Sequence, residues 1–152
     1  MIGGFLKIFF ISMLPLIELR GAIPVSRLMD LPLIPSFLIC IAGNLLPMPF
    51  IYKFARGILE WGRDKRGIGK FCTWCIEKGH KASKKLTKKK AGREGLFWAL
   101  VFFVGIPIPG TGAWTGILAA SFLEMGWKRA FLAVSIGVLM AGAIMAIASS
   151  WV

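Results

Sequence analysis

Glu18 and Arg20 stand one residue apart in Pro15-Leu-Ile-Glu-Leu-Arg-Gly-Ala-Ile-Pro24, where nearly everything around them is apolar. An ionisable group at membrane depth is costly and marks function by default, so this pair is the first candidate for chemistry. Burial disfavours the charged form of a carboxyl group, whereas an adjacent guanidinium favours it. Glu18 is thereby placed to exchange protons as a pocket opens and closes. The alternative for the same residues is a static ion pair that only fixes a turn. A second cluster is Gly105-Ile-Pro-Ile-Pro-Gly-Thr-Gly-Ala-Trp-Thr-Gly116. Pro107 and Pro109 each remove a backbone donor and discourage continuous helix. Gly110, Gly112 and Gly116 permit close approach and positive φ. Thr111 lies between the first two, and Trp114 offers a stacking face for an organic cation. Asp30 and Glu124 are candidates for a mouth, although Asp30-Leu-Pro-Leu and Glu124-Met-Gly-Trp also read as turns before a helix. Asn44 reads as a helix-packing residue. Cys72-Thr-Trp-Cys75 followed by His80 has metal or redox spacing, but zinc calls for four ligands and a redox motif for a βαβ setting. No metal or cofactor is expected. The sequence offers no phosphate loop, nucleophile elbow or histidine-rich cluster, so enzyme chemistry is not expected either.

The elements that must hold these residues follow from composition. With 57% hydrophobic residues and one tyrosine beside twelve phenylalanines and six tryptophans, the 152-residue chain belongs in a bilayer. A spanning helix needs roughly 20 apolar residues, and the candidates are Ile2 to Ile17, Leu33 to Tyr52, Leu96 to Leu123 and Ala130 to Val152. The start has no basic region ahead of its apolar run and no small-residue cleavage site, so it is expected to be retained. The unpaired cysteine in a span speaks against a disulfide framework. Net charge is +12, concentrated between Lys53 and Glu94. The positive-inside rule puts that block in the cytoplasm, next to anionic headgroups. It lacks any nucleic-acid reader motif, and no nucleic-acid partner is expected. From Ile58 to Ile76 apolar and charged residues alternate at partly helical spacing, as an interfacial amphipathic helix would. Lys81 to Arg93 reads as an exposed loop.

If Leu33 to Tyr52 is one span ending at the cytoplasmic block, the preceding segment is too short to cross twice. It must enter and leave on one face as a re-entrant hairpin, turning near Glu18 to Gly21. The same argument gives a second hairpin from Leu96 to Leu123, turning near Pro107 to Gly112, and an outward span from Ala130 to Val152. Unpaired backbone at such tips survives only buried in protein or facing a wet cavity, so the tips mark the site. A proline-kinked ordinary helix is the plainer alternative for the second. The halves also match at a constant offset of 94, with Pro15 on Pro109, Ile23 on Ile117, Asp30 on Glu124, Phe37 on Phe131 and Gly43 on Gly137. The expected fold is therefore all-α and integral to the membrane, one domain over 1–152. Repeat one is 1–52, the basic cytoplasmic segment 53–95 and repeat two 96–152, each repeat a re-entrant helical hairpin followed by a transmembrane helix.

Pro15 to Pro24 and Gly105 to Gly116 resemble the two motifs of the small multidrug export protein family, over nearly the whole chain. The arrangement is also similar to the broader DedA-like, or VTT-domain, superfamily, whose members carry paired re-entrant hairpins and move lipids or lipid phosphates. That resemblance implies acids in the first hairpin and arginines in the second. Glu18 and Asp30 match the acids by position. The second hairpin departs from the pattern, since Pro107 to Gly116 holds no arginine and Arg20, Lys128 and Arg129 are the nearest cations. The expected function is a multi-pass transporter in a prokaryotic cell membrane, homo-oligomeric and proton-coupled through Glu18. Its substrate would be amphipathic or lipid-like, either a lipid phosphate or a small cationic drug, with membrane lipids as surroundings. The alternative is a non-transporting membrane scaffold that binds anionic lipid or a protein partner.

Overall fold

The computed structural model describes residues 2–108 and 110–151, with only the backbone of Leu86 and Thr87. Among these, every regular element is a helix: α1 (Ile2–Met13), α2 (Glu18–Leu28), α3 (Leu33–Leu45), α4 (Met48–Arg63), α5 (Gly69–Thr87), α6 (Lys90–Gly105), α7 (Ala113–Phe122) and α8 (Trp127–Ser150). Prolines set several boundaries. Pro15 follows the end of α1, Pro32 precedes α3, and Pro47 divides α3 from α4. Ile106, the residue before Pro107, takes an extended ψ of 121° and stops α6, because a following proline disfavours the helical conformation. Among the described residues two lengths are long and apolar enough to cross a membrane, Leu33–Arg63 and Trp127–Ser150.

The first chain break sits at Leu14–Ile17, ahead of the expected turn at Glu18 to Gly21, which is instead the opening turn of α2. Lys81 to Arg93 also departs from expectation. It is helical except at Lys88 and Lys89, because lysine, alanine and arginine are good helix formers. The amphipathic stretch expected from Ile58 to Ile76 is cut by a turn between α4 and α5, where Gly67 takes φ 103°.

α1 and α2 pack together and against α3, and α6 and α7 pack together and against α8; α2 in turn lies on α8, and α7 on α4. Small residues make these approaches possible. A Cβ added to Gly43 on α3 would stand 2.6 Å from the Phe9 carbonyl oxygen of α1. One added to Gly137 on α8 would stand 2.8 Å from the Val101 carbonyl oxygen of α6. The two glycines are 94 residues apart. The shared core draws Leu19, Ile23, Ile117, Val134 and Val138 from α2, α7 and α8, all essentially without exposure.

α2 and α7 end alike. The Asp30 N–H donates to Arg27 O at 3.0 Å and the Leu31 N–H to Ser26 O at 3.0 Å. Ninety-four residues on, the Glu124 N–H donates to Ser121 O at 3.2 Å and the Met125 N–H to Ala120 O at 3.0 Å. This pair of hydrogen bonds is the Schellman closure, in which a left-handed residue ends the helix and an apolar one beyond it packs back. Asp30 and Glu124 both have φ 52°, and Leu31 and Met125 are both buried.

Candidate functional site

The break between α6 and α7 leaves backbone groups without helical partners at both of its ends. Those groups meet Glu18 and Arg20. The Glu18 carboxylate accepts from the Trp114 N–H at 3.1 Å (Oε1) and from the Ala113 N–H at 3.3 Å (Oε2). These are the first two residues of α7, so an anion sits on the positive end of the helix dipole. Arg20 does the converse at the end of α6. Its Nη2 donates to Val104 O at 2.9 Å and Ile106 O at 3.1 Å, and its Nη1 to Ile108 O at 2.6 Å and Thr111 Oγ1 at 3.2 Å. A planar guanidinium with five donors suits this fan of carbonyls as no other side chain does.

Glu18 and Arg20 are thus turned to opposite helix ends. The salt bridges among the described residues are elsewhere, His80 with Glu124 and Arg129 with Glu94. The alternative of a static Glu18 to Arg20 ion pair is replaced by two helix-end contacts. Glu18 takes φ 50° at the first residue of α2, a left-handed conformation unfavourable for a side chain of this kind. Its carboxylate is aimed across at α7 from that position.

Gly112 and Gly110 serve this arrangement differently. Gly112 has φ 166°, which any residue adopts, but a Cβ there would stand 2.7 Å from Glu18 Oε1. It must be bare for the carboxylate to reach the α7 amides. Gly110 has φ 87° and open space around it, so conformation is what it supplies. Thr111 Oγ1 lies 2.9 Å from Ile108 O and 3.0 Å from Ile106 O, knitting the turn while it accepts from Arg20. The Trp114 indole nitrogen is buried with no acceptor among the described residues. Pro107 lines a cavity of about 380 Å³ between the two breaks, together with Leu16, Glu18, Arg20, Thr111, Thr115 and Met145. Pro109 lies outside the described residues.

Asp30 is not part of this cluster. It lies at the far end of α2 beside a larger cavity of about 850 Å³, lined by Arg27, Leu28 and Pro32 and closed on the α8 side by Met145 and Ala148. Met145 borders both cavities. Glu124 pairs with His80 on α5 at 2.9 Å, and no three His, Cys, Asp or Glu come together among the described residues. Sequence reasoning passed over Met145 and Tyr52. The Tyr52 hydroxyl donates to Met125 O at 2.5 Å, and Ser121 Oγ donates to Tyr52 O at 3.4 Å, fastening α4 to the end of α7. That Tyr52 is the single tyrosine beside twelve phenylalanines was a usable signal, since a hydroxyl kept in a phenylalanine-rich chain calls for a partner.

No curated protein and no solved structure matches the chain. A family model does match, over residues 18–144. That span opens at Glu18, takes in Arg20 and Asp30 and contains the whole α6–α7 break. The chain belongs to the family described as putative small multi-drug export protein.

Proposed function

We propose that the protein is a multi-pass membrane transporter of a small amphipathic or lipid-like substrate, working through the cavity between the two chain breaks and coupled to protons through Glu18. The observation that carries the reading is the double contact of Glu18 with the α7 amides and Arg20 with the α6 carbonyls. In this reading α1–α2 and α6–α7 are re-entrant hairpins that meet tip to tip, each followed by a span, and the halves are inverted repeats. The matching Schellman closures at Asp30 and Glu124 and the matching glycine contacts at Gly43 and Gly137 support the duplication. The family's description supports transport rather than catalysis.

The mechanism follows from charge. Ionised Glu18 holds the positive end of α7; a proton on the carboxyl removes that charge and weakens the tie between the tips. Proton binding and release then alternate between loosened and fastened tips, which gates the cavity between them. With every Arg20 contact made to backbone or Thr111, a phosphate headgroup would have to displace carbonyls to reach the guanidinium. That favours a cationic or neutral amphipath drawn to Glu18 and Trp114 over a lipid phosphate. Homo-oligomeric assembly in a prokaryotic plasma membrane belongs to the same proposal.

The test is flux of a lipophilic cation in proteoliposomes under an imposed pH gradient. Glu18→Gln keeps size and hydrogen-bonding capacity but cannot titrate, and flux should fall sharply while the protein stays folded. Normal flux with an unchanged pH profile would remove Glu18 from the coupling role.

A further inference from the structure

The corner between α4 and α5 is built and charged, and the transport cycle makes no use of it. α4 has an inward face, Met48, Tyr52 and Ala55. It also carries an exposed apolar stripe, Phe54, Ile58 and Trp61, that Phe71 and Trp74 extend on α5. Exposed aromatics beside cations are what an interfacial helix presents to a bilayer. The connecting turn closes on itself. The Lys65 N–H donates to Gly62 O at 3.1 Å and the Gly69 N–H to Lys65 O at 2.9 Å, and a Cβ on Gly69 would stand 2.8 Å from Arg63 O. This leaves an open hollow of about 820 Å³ in which Arg63, Lys65, Arg66 and Lys70 face one carboxylate, Glu77. None of these cations is in a salt bridge among the described residues. The Lys65 ammonium rests 4.6 Å from the Trp61 ring centroid.

We infer that this hollow binds the phosphate of an anionic membrane phospholipid, with the neighbouring aromatic stripe lying among its upper acyl chain. Charge complementarity selects the occupant: four cations against one carboxylate call for an anion, and the adjoining apolar stripe has no use for a soluble one. The site is separate from Glu18 and Arg20, so its failure would leave the transport reading standing.

The full chain in zwitterionic nanodiscs doped with phosphatidylglycerol provides the test, with bound lipid read by native mass spectrometry across a titration. Each Lys or Arg at a bilayer surface strengthens anionic lipid binding by an amount that makes removal of three worth a loss on the order of 100-fold. Lys65→Gln/Arg66→Gln/Lys70→Gln should show that loss with an unchanged Tm. Lys84→Gln/Lys85→Gln/Lys89→Gln removes the same charge from the far end of α5 and the link to α6 and should bind nearly as the parent does. Equal losses from the two variants would mean diffuse attraction and overturn the site, as would unchanged binding by the first. Displacement of the lipid by millimolar pyrophosphate would make the occupant a free phosphate and overturn the lipid assignment.

Discussion

Arg20 is the side chain on which the α6–α7 break most depends, because four acceptors around Val104 to Thr111 converge on its two terminal nitrogens. Removing it strands those acceptors, at about 1–3 kcal/mol for each one kept from water. Arg20→Ala should therefore lower stability by about 2–4 kcal/mol, the partly exposed carbonyls recovering some of the loss from solvent. Arg20→Lys, which keeps the charge but not the planar fork, should fall between the two in a detergent melt; a melt identical to the parent's for Arg20→Ala would show that the contacts are ornamental. The two glycines separate conformation from space. Gly110→Ala meets nothing and carries only left-handed strain, about 1–2 kcal/mol. Gly112→Ala, at an unstrained φ, drives a methyl into the Glu18 carboxylate. Flux should survive the first and fail in the second, and equal behaviour would mean that close approach is not what Gly112 provides.

The terminations of α2 and α7 make a prediction of a different kind. A left-handed position beyond a helix end normally holds glycine, yet both ends carry an acid at φ 52°. Replacing Asp30 with Gly should relieve strain and stabilise by about 0.5–1 kcal/mol after the extra chain entropy of glycine is deducted. Stabilisation accompanied by lost flux would assign Asp30 a role at the 850 Å³ cavity it borders; stabilisation with full flux would leave it a helix terminus and nothing more. Helix boundaries of this sort were partly legible. Pro107 announces the end of α6 because the residue before a proline is pushed away from the helical conformation, although Ile23 before Pro24 stays helical inside α2. The charges and glycine of Glu18 to Gly21 suggest a turn there, whereas Pro15 and the left-handed Glu18 set the α1–α2 break earlier. The charge density of Lys81 to Arg93 points to solvent but not to a loop, because lysine-rich sequence is solvated as a helix just as well. The partners of Arg20 could not be read at all, since they are carbonyl groups and every residue has one.

At the level of the assembled chain, the ends of the helices sort onto two faces. Gly4 lies against Leu31 and Met29, and Ala148 and Ser149 line the cavity of Asp30 and Pro32, so both chain ends gather with the α2–α3 turn. Glu94 and Arg129 meet at 2.8 Å on the other side with the basic segment. With the native Cys40, Cys72 and Cys75 replaced, single cysteines at Ile2, Asp30 and Ser150, all exposed, should react with an impermeant thiol reagent from outside, and one at Lys85 only after permeabilisation. Labelling of Ile2 and Asp30 from opposite sides would sink the re-entrant arrangement of the first half. The contacts that join the halves run one way: Glu18 and Arg20 lie in the first, and their partners follow 84 to 96 residues later. At about 5–20 residues per second of synthesis, these two charges leave the ribosome some ~5–20 s before anything exists to receive them. During insertion they have to wait at the water-facing edge of the bilayer or in the keeping of the insertion machinery. A chain halted before α6 would keep both charges and none of the helix ends that receive them.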